Sequence, residues 1–229
     1  NSGGEIPEFR PDFFARQDEM PDEMFYSMPR LVTHIDDEAC AALAGYYATL
    51  LKEGDVVLDL MSSCVSHLPR DAAFGKVIGH GMNRTELEAN PQLDEYFLQN
   101  LNKTPDLPFE AASFDACLIA VSVQYLSRPV EVFAEIARIL KPGGVLAASF
   151  SNRMFPTKAI ALWQALGDTA HGELVCEYAR RAGGFDEPII RDLSPNPGRS
   201  DPLYAVEARA AARARSEEHT SNSSHLVIS

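Results

Sequence analysis

The stretch that most limits how this chain can fold runs from Asp55 to Pro69, DVVLDLMSSCVSHLP. Val56, Val57, Leu58 and Leu60 make a short apolar, β-branched run, preceded by the breaker Lys52-Glu53-Gly54 and passing through Asp59 into the small-residue turn Met61-Ser62-Ser63-Cys64. Such a run reads as the first parallel strand of a doubly wound α/β sheet. Ligands of that architecture sit in the crevice at the carboxyl ends of the strands. One segment thus predicts both a fold and a place for a cofactor.

The rest of the chain alternates accordingly. Asp36 to Leu51 has an N-cap candidate at Asp36 or Asp37 and helical spacing of Ala39, Leu43, Tyr46, Tyr47 and Leu50. A short helix is expected over Val65 to Asp71, a strand over Gly75 to Gly81, a helix from Thr85 that stops at Asn90-Pro91, and a weaker strand over Tyr96 to Leu101. Ala116 to Val121 is nearly continuously apolar, as a central parallel strand should be. An amphipathic helix over Val130 to Leu140 ends at Lys141-Pro142-Gly143-Gly144 and feeds a strand over Val145 to Phe150. Helical stretches over Pro156 to Leu166 and Gly172 to Ala182 precede strands over Glu187 to Leu193 and Leu203 to Ala208, joined by a turn-rich loop as an antiparallel hairpin. The whole is an α/β three-layer sandwich with a mostly parallel sheet.

Composition bounds the function. With 229 residues and 45% hydrophobic content the chain can bury one sizeable core. A formal charge of -13 argues against a nucleic-acid partner, which calls for clustered Lys and Arg. No apolar run is long enough to cross a bilayer, and no leader pattern opens the chain, so a soluble protein is expected. Cys40, Cys64, Cys117 and Cys176 are widely spaced without CxxC, and three lie in apolar surroundings; buried free thiols and a reducing compartment are expected, not disulfides or a metal site. Asn1 to Arg30 lacks any period and carries aromatics at Phe9, Phe13, Phe14, Phe25 and Tyr26, as an extended arm docking its rings on the body while its charges stay wet. The expected division is an arm over 1-34, an α/β domain over 35-210, and a non-native or disordered tail over 211-229. Within that tail, Arg215 to Ser229 reads as a translated adapter and carries no functional argument.

Leu58-Asp59-Leu60, then Leu107-Pro108-Phe109 with Ser113-Phe114-Asp115, then Leu140-Lys141-Pro142-Gly143-Gly144, resemble the spaced signature of class I S-adenosylmethionine-dependent methyltransferases, over roughly Ile35 to Ala208. The wording DLMSSCVSHLP, IGHGMN, AVSVQYL and SFSNRMF is similar to a methyltransferase-like group of cyanobacteria and plastid-bearing organisms. The resemblance implies a seven-stranded sheet, S-adenosylmethionine as cofactor, a small-molecule methyl acceptor, and a plastid stroma or cytoplasm as location. It implies cofactor contacts from Asp59, Met61, Ser62 and Ser63 after the first strand, from Gly81, Met82 and Asn83 after the second, from Leu101 and Asn102 beside Asn100 at the adenine end, and from Val121 and Tyr125 after the fourth.

Two departures stand out. The usual Gly-rich loop is Met61-Ser62-Ser63-Cys64, which forgoes the positive-φ freedom of Gly. The acidic residues common at the ribose and adenine positions are replaced by Gly81-Met82-Asn83 and by Asn100-Leu101-Asn102. Asp59 reads as a cofactor contact or as a cap. Cys64 and His67 are drawn as a nucleophile and base, or as a buried thiol and a helix-surface imidazole. Tyr26, His34 and Tyr125 are candidate catalytic or lid residues, or packing groups, and no catalytic residue is assigned. Asn152-Arg153 meets an anionic group or caps a helix. A second reading keeps the fold as an inactive binding or structural subunit in a protein complex, such as a plastid assembly. A nicotinamide oxidoreductase is disfavoured by the lack of GxGxxG.

Overall fold

The computed structural model describes residues 8–212. β1 (Val56–Leu60) lies near the middle of a seven-stranded sheet, flanked by parallel β2 (Lys76–Gly81) and parallel β4 (Phe114–Ala120). β3 (Glu95–Leu98) extends the β2 edge, and β5 (Leu140–Phe150) pairs with β4 on the other side. β6 (Ile189–Asp192) and β7 (Tyr204–Arg209) close the sheet antiparallel, giving the order β3-β2-β1-β4-β5-β7-β6. The order reverses between β1 and β4, and this switch point opens a crevice at the strand ends.

Six α-helices accompany it among the described residues: α1 (Asp22–Phe25), α2 (Asp37–Leu50), α3 (Arg84–Glu88), α4 (Pro129–Ile139), α5 (Ala161–Ala165) and α6 (Asp168–Ala182). The central strands are predominantly apolar because both faces are covered. Val57, Leu118 and Ala147 point to α2, where Leu43 and Tyr47 meet them. Leu58, Ile119 and Leu146 point to Phe133 and Ile136 of α4 and Leu174 and Tyr178 of α6. This is the period-two alternation of strands inside a three-layer sandwich. α2 begins where the sequence suggests, with the Asp36 carboxylate accepting from the Ala39 N–H at 2.9 Å.

The N-terminal segment crosses the carboxyl edge of the sheet. The Ala161 N–H donates to Ala15 O at 2.8 Å and the Asp18 N–H to Thr157 O at 2.9 Å. Phe9 and Phe14 stack edge-on and contact Tyr178, while Phe25 packs on Phe155 at 5.5 Å. The docking of its aromatics is as expected, but its charges are not all wet. Lys158 Nζ, fully buried, donates to Asp22 at 2.9 Å, to Met20 O at 2.8 Å and to Asp18 O at 3.1 Å. Arg16 adds a 2.7 Å bond to the same Asp22 carboxylate.

Other corrections are local. Val65 to Asp71 forms no helix: Pro69 disfavours helical Leu68, whose N–H and C=O are instead taken by the Gln92 amide at 3.2 and 2.9 Å. His67 is therefore not on a helix surface. α4 ends ahead of Lys141 to Gly144 as expected, but those residues lie within β5, which starts at Leu140 rather than Val145 and shifts register against β4 there, with Gly143 at φ 78°. The helix expected from Pro156 shrinks to α5. Cys117 and Cys176 are buried, whereas Cys40 and Cys64 are half-buried; all are free thiols. Residues 213–229, including the adapter-like stretch, lie outside the described residues. No helix among the described residues is long and apolar enough to cross a membrane.

Candidate active site

The carboxyl ends of β1, β2 and β4 open into a cavity of about 370 Å³, roofed by the N-terminal arm and the segment after β5. Drug-sized and cofactor sites span roughly 300–1,000 Å³. Every cofactor residue named from the sequence lines this one cavity: Asp59, Met61, Ser62, Ser63, Gly81, Met82, Asn83, Leu101, Asn102, Val121 and Tyr125.

Asp59 closes β1 with its side chain buried. Its carboxylate accepts from Ser62 Oγ at 2.6 Å and Ser66 Oγ at 2.5 Å. Burial raises its pKa to about 7 against the lowering effect of those two hydroxyls. Met61 supplies the left-handed turn that Gly would give, at φ 55°. The turn is pinned from β2: the Met61 N–H donates to His80 Nδ1 at 2.9 Å and the Ser62 N–H to His80 O at 2.6 Å. His80 Nε2 then carries the proton, donated to Gln99 O at 2.7 Å, and burial keeps the ring neutral with a pKa of about 4. One imidazole therefore ties the loop after β1 to the chain leaving β3. The His80 role is not read from the sequence; its only trace there is a polar residue inside an apolar strand.

The asparagines line the cavity with their amides already engaged. Asn83 caps α3, accepting from the Glu86 N–H at 3.1 Å, and donates to Tyr26 O and Ser27 O of the arm. Asn102 donates to Asp22 and to Tyr125 O, both at 3.0 Å, and accepts from the Ser127 N–H at 2.9 Å. Asn100 donates to Glu23 at 3.1 Å. Their polar atoms hold the roof. Val121 adopts φ 46°, a strained conformation for a β-branched residue, with its N–H on Ser149 O at 3.0 Å. His67 sits at φ 59°. Of the non-Gly residues with positive φ among those described, Met61, His67 and Val121 all line the cavity, and only Ala112 lies elsewhere. Strain of this kind costs about 1–3 kcal/mol per residue and gathers at functional sites.

Tyr26, His34, His67 and Tyr125 are also brought to the wall. Tyr125 Oη accepts from the Phe155 N–H at 2.7 Å, and its ring stacks on Phe155. Burial pushes both tyrosines above the usual phenol range. It pushes His67 down to about 4, helped by the charge of His34, and lowers His34 with help from Arg30. Cys64 Sγ lies 3.9 Å from Arg30 O, and no Cys64–His67 hydrogen bond forms. Arg153 pairs with Asp201 at 3.1 Å instead of capping a helix. The Ser122 hydroxyl is buried on the cavity wall with no hydrogen-bond partner among the described residues. Asp22, Arg30, Ser66, Ser122 and Phe155 escaped the sequence reading because the arm and the loops after β1, β4 and β5 carry no periodicity to place them.

Residues 64–148 match the methyltransferase domain family. A curated relative, the biotin biosynthesis bifunctional protein BioHC of Teredinibacter turnerae, is 33% identical over 72 residues, which are 31% of this chain and only 13% of the relative. Among solved structures, the [4+2]-cyclase SpnF superposes with a TM-score of 0.58 at 18% identity, covering 80% of this chain and 89% of that one. An S-adenosylmethionine-dependent methyltransferase from Mesorhizobium loti gives 0.52 at 17% identity, covering 74% and 98%. With this sheet order and these neighbours, the chain shares the fold of the solved methyltransferase and cyclase structures, and the match to the methyltransferase domain family spans less than half of it.

Proposed function

We propose that the cavity binds S-adenosylmethionine and that the protein transfers its methyl group to a small-molecule acceptor. Fold alone does not carry this, since one structural neighbour is a cyclase. The supporting observation is the cavity itself, at the switch point of the sheet, ringed by three strained residues that a mere scaffold has no need to maintain.

The residues fit the cofactor. Ser122 Oγ is a buried polar atom awaiting a partner, and the Ser62-Ser63 turn is small enough to admit a ligand close to the main chain. Asp59 and Ser63 would hold the amino-acid end, Gly81 and Met82 the ribose side, and Leu101 and Val121 the faces of the adenine. The bound cofactor supplies an electrophilic methyl on a sulfonium centre. The chain contributes orientation and exclusion of water: Tyr125 and Phe155 present a flat aromatic wall, and the arm covers the cavity. Alignment of this sort is the main resource of an in-line displacement.

Titration calorimetry with S-adenosylhomocysteine tests the reading. Micromolar binding is expected, weakened at least tenfold by Ser62→Tyr, which fills the space beside Asp59; this corresponds to roughly 1.4 kcal/mol. No heat of binding at millimolar ligand would remove the proposal.

A further inference from the structure

We propose that the acceptor end of this cavity is built for a carboxylate, and that the methyl group is placed on a carboxylate oxygen to give a methyl ester. The proposal rests on the cofactor reading above and names the acceptor class for the same site.

Phe155 is the platform of that end. The Arg30 guanidinium lies 4.9 Å from its ring centre and 4.7 Å from that of Phe25. The His34 ring packs edge-on to Phe155 at 5.7 Å, and Tyr125 stacks on Phe155 at 5.8 Å. His67 faces the same cavity from the loop after β1. A fixed cation and two imidazoles thus converge from the arm and the core beside the aromatic wall.

Their bonding is incomplete. Among the described residues the Arg30 guanidinium donates only to main-chain oxygens, Phe25 O at 3.4 Å and Met28 O at 3.5 Å. Arg16 and Arg153, by contrast, each hold a carboxylate, at 2.7 and 3.1 Å. His80 and His171 each bond a main-chain carbonyl, whereas neither imidazole at this end has a hydrogen bond among the described residues. The acids on the same wall are otherwise engaged. Asp22 is held by Arg16 and Lys158, and Asp59 by Ser62 and Ser66. Glu86 is pushed toward its neutral form by burial, partly offset by the Arg30 main chain and charge. The cluster is one of mutually repelling groups, in which Arg30 disfavours a charge on His34 and His34 disfavours one on His67. An anion set among them removes that repulsion, taking the guanidinium fork and an N–H from each neutral ring.

A carboxylate suits the chemistry as well as the charge. One of its oxygens forms the new bond to the methyl carbon while the S–CH3 bond breaks, its electron pair returning to sulfur. A carboxylate and a sulfonium become a neutral ester and a neutral thioether. No proton is released, so no base is needed, and the only imidazoles present are weak bases. Phenol or alcohol acceptors would have to lose a proton, and the imidazoles beside this aromatic wall, His34 and His67, are neutral rings held below their usual basicity by burial. The aromatic rings of Tyr26, Tyr125 and Phe155 suit an acceptor with an apolar body.

The test titrates benzoate, cinnamate and octanoate, with the matching amides and phenol, into protein saturated with S-adenosylhomocysteine. Carboxylates are expected to bind at least tenfold more tightly than their amides. Arg30→Gln should erase that preference and Arg30→Lys restore part of it, with S-adenosylhomocysteine affinity unchanged in both as the check on folding. With radiolabelled S-adenosylmethionine, methyl transferred to these acids should be released as volatile methanol by mild base. Equal binding of acid and amide, no acid binding at 10 mM (about the weakest affinity worth a site), or base-stable label on phenol would each overturn the proposal while the cofactor reading stands. Absence of S-adenosylhomocysteine binding would instead overturn the cofactor reading, and the ester chemistry with it.

Discussion

Asp22→Asn is expected to destabilise the protein by about 3–5 kcal/mol and to release the arm from the sheet edge. Lys158 has no exposed surface, and its nearest carboxylate is Asp22 at 2.9 Å, with Asp18 farther off at 3.7 Å. Removing the Asp22 charge leaves a buried ammonium and the buried Arg16 guanidinium without their shared counter-ion. The same carboxylate receives the Asn102 amide at 3.0 Å, so the roof over Leu101 loosens with it. Burial by itself would raise the Asp22 pKa, but hydrogen bonds from Lys158 and Arg16 outweigh it and the net change is downward. The pair's contribution is therefore complete above the unfolded value near 3.8 and lost as pH falls through the lower folded value. Urea unfolding should show the loss, and trypsin should cut after Arg16 and Arg30 far faster than in wild type. The double variant Asp22→Asn with Lys158→Met should cost less than the two single changes added together, because the buried ammonium is then no longer stranded. Variants that unfold at the wild-type urea midpoint with an uncut arm would mean that the buried pair does not hold it.

The sheet was legible because its information is local and periodic. Val56 to Leu60, Ala116 to Val121 and Val145 to Phe150 announce buried strands by largely apolar runs, and α2 and α4 by their spacing. The positions at strand ends followed from that register, which is why the residues named there from Asp59 to Tyr125 meet around one cavity. What the sequence hid depends on contacts between distant segments. Met61 reads as a poor substitute for Gly until His80, nineteen residues on, is seen holding its N–H. Val65 to Asp71 looks helical until Gln92 is seen taking both main-chain groups of Leu68. Arg16 and Asp22 read as solvated charges of the arm because nothing local marks a partner for Asp22 136 residues on, at Lys158. The roof is the least legible part for the same reason: its aromatics signal docking, but not where.

Asp59→Asn should separate what β1 contributes to folding from what it contributes to binding. Burial raises the Asp59 pKa from 3.8 to about 7, with Ser62 and Ser66 offsetting part of the rise. A carboxyl whose folded pKa lies above its unfolded one favours the fold while protonated. That advantage is full below pH 3.8, declines as pH rises, and is gone above about 7, where folding must bury a charge. At 1.36 kcal/mol per unit, the stability of Asp59→Asn relative to wild type should grow by roughly 4 kcal/mol between pH 4 and pH 8. Taking the difference between the two proteins cancels the carboxylates that titrate in the opposite sense, such as Asp22 and Glu135. Thermal or urea unfolding across that range measures it, and a flat difference would mean that Asp59 is ionised in the fold at little cost. In the same variant S-adenosylhomocysteine should bind at least tenfold more weakly, since an amide cannot offer the cofactor's ammonium a full counter-charge. A protein made more stable at pH 8 and poorer at binding by one substitution would identify Asp59 as a charge kept in the core for its ligand rather than for the fold.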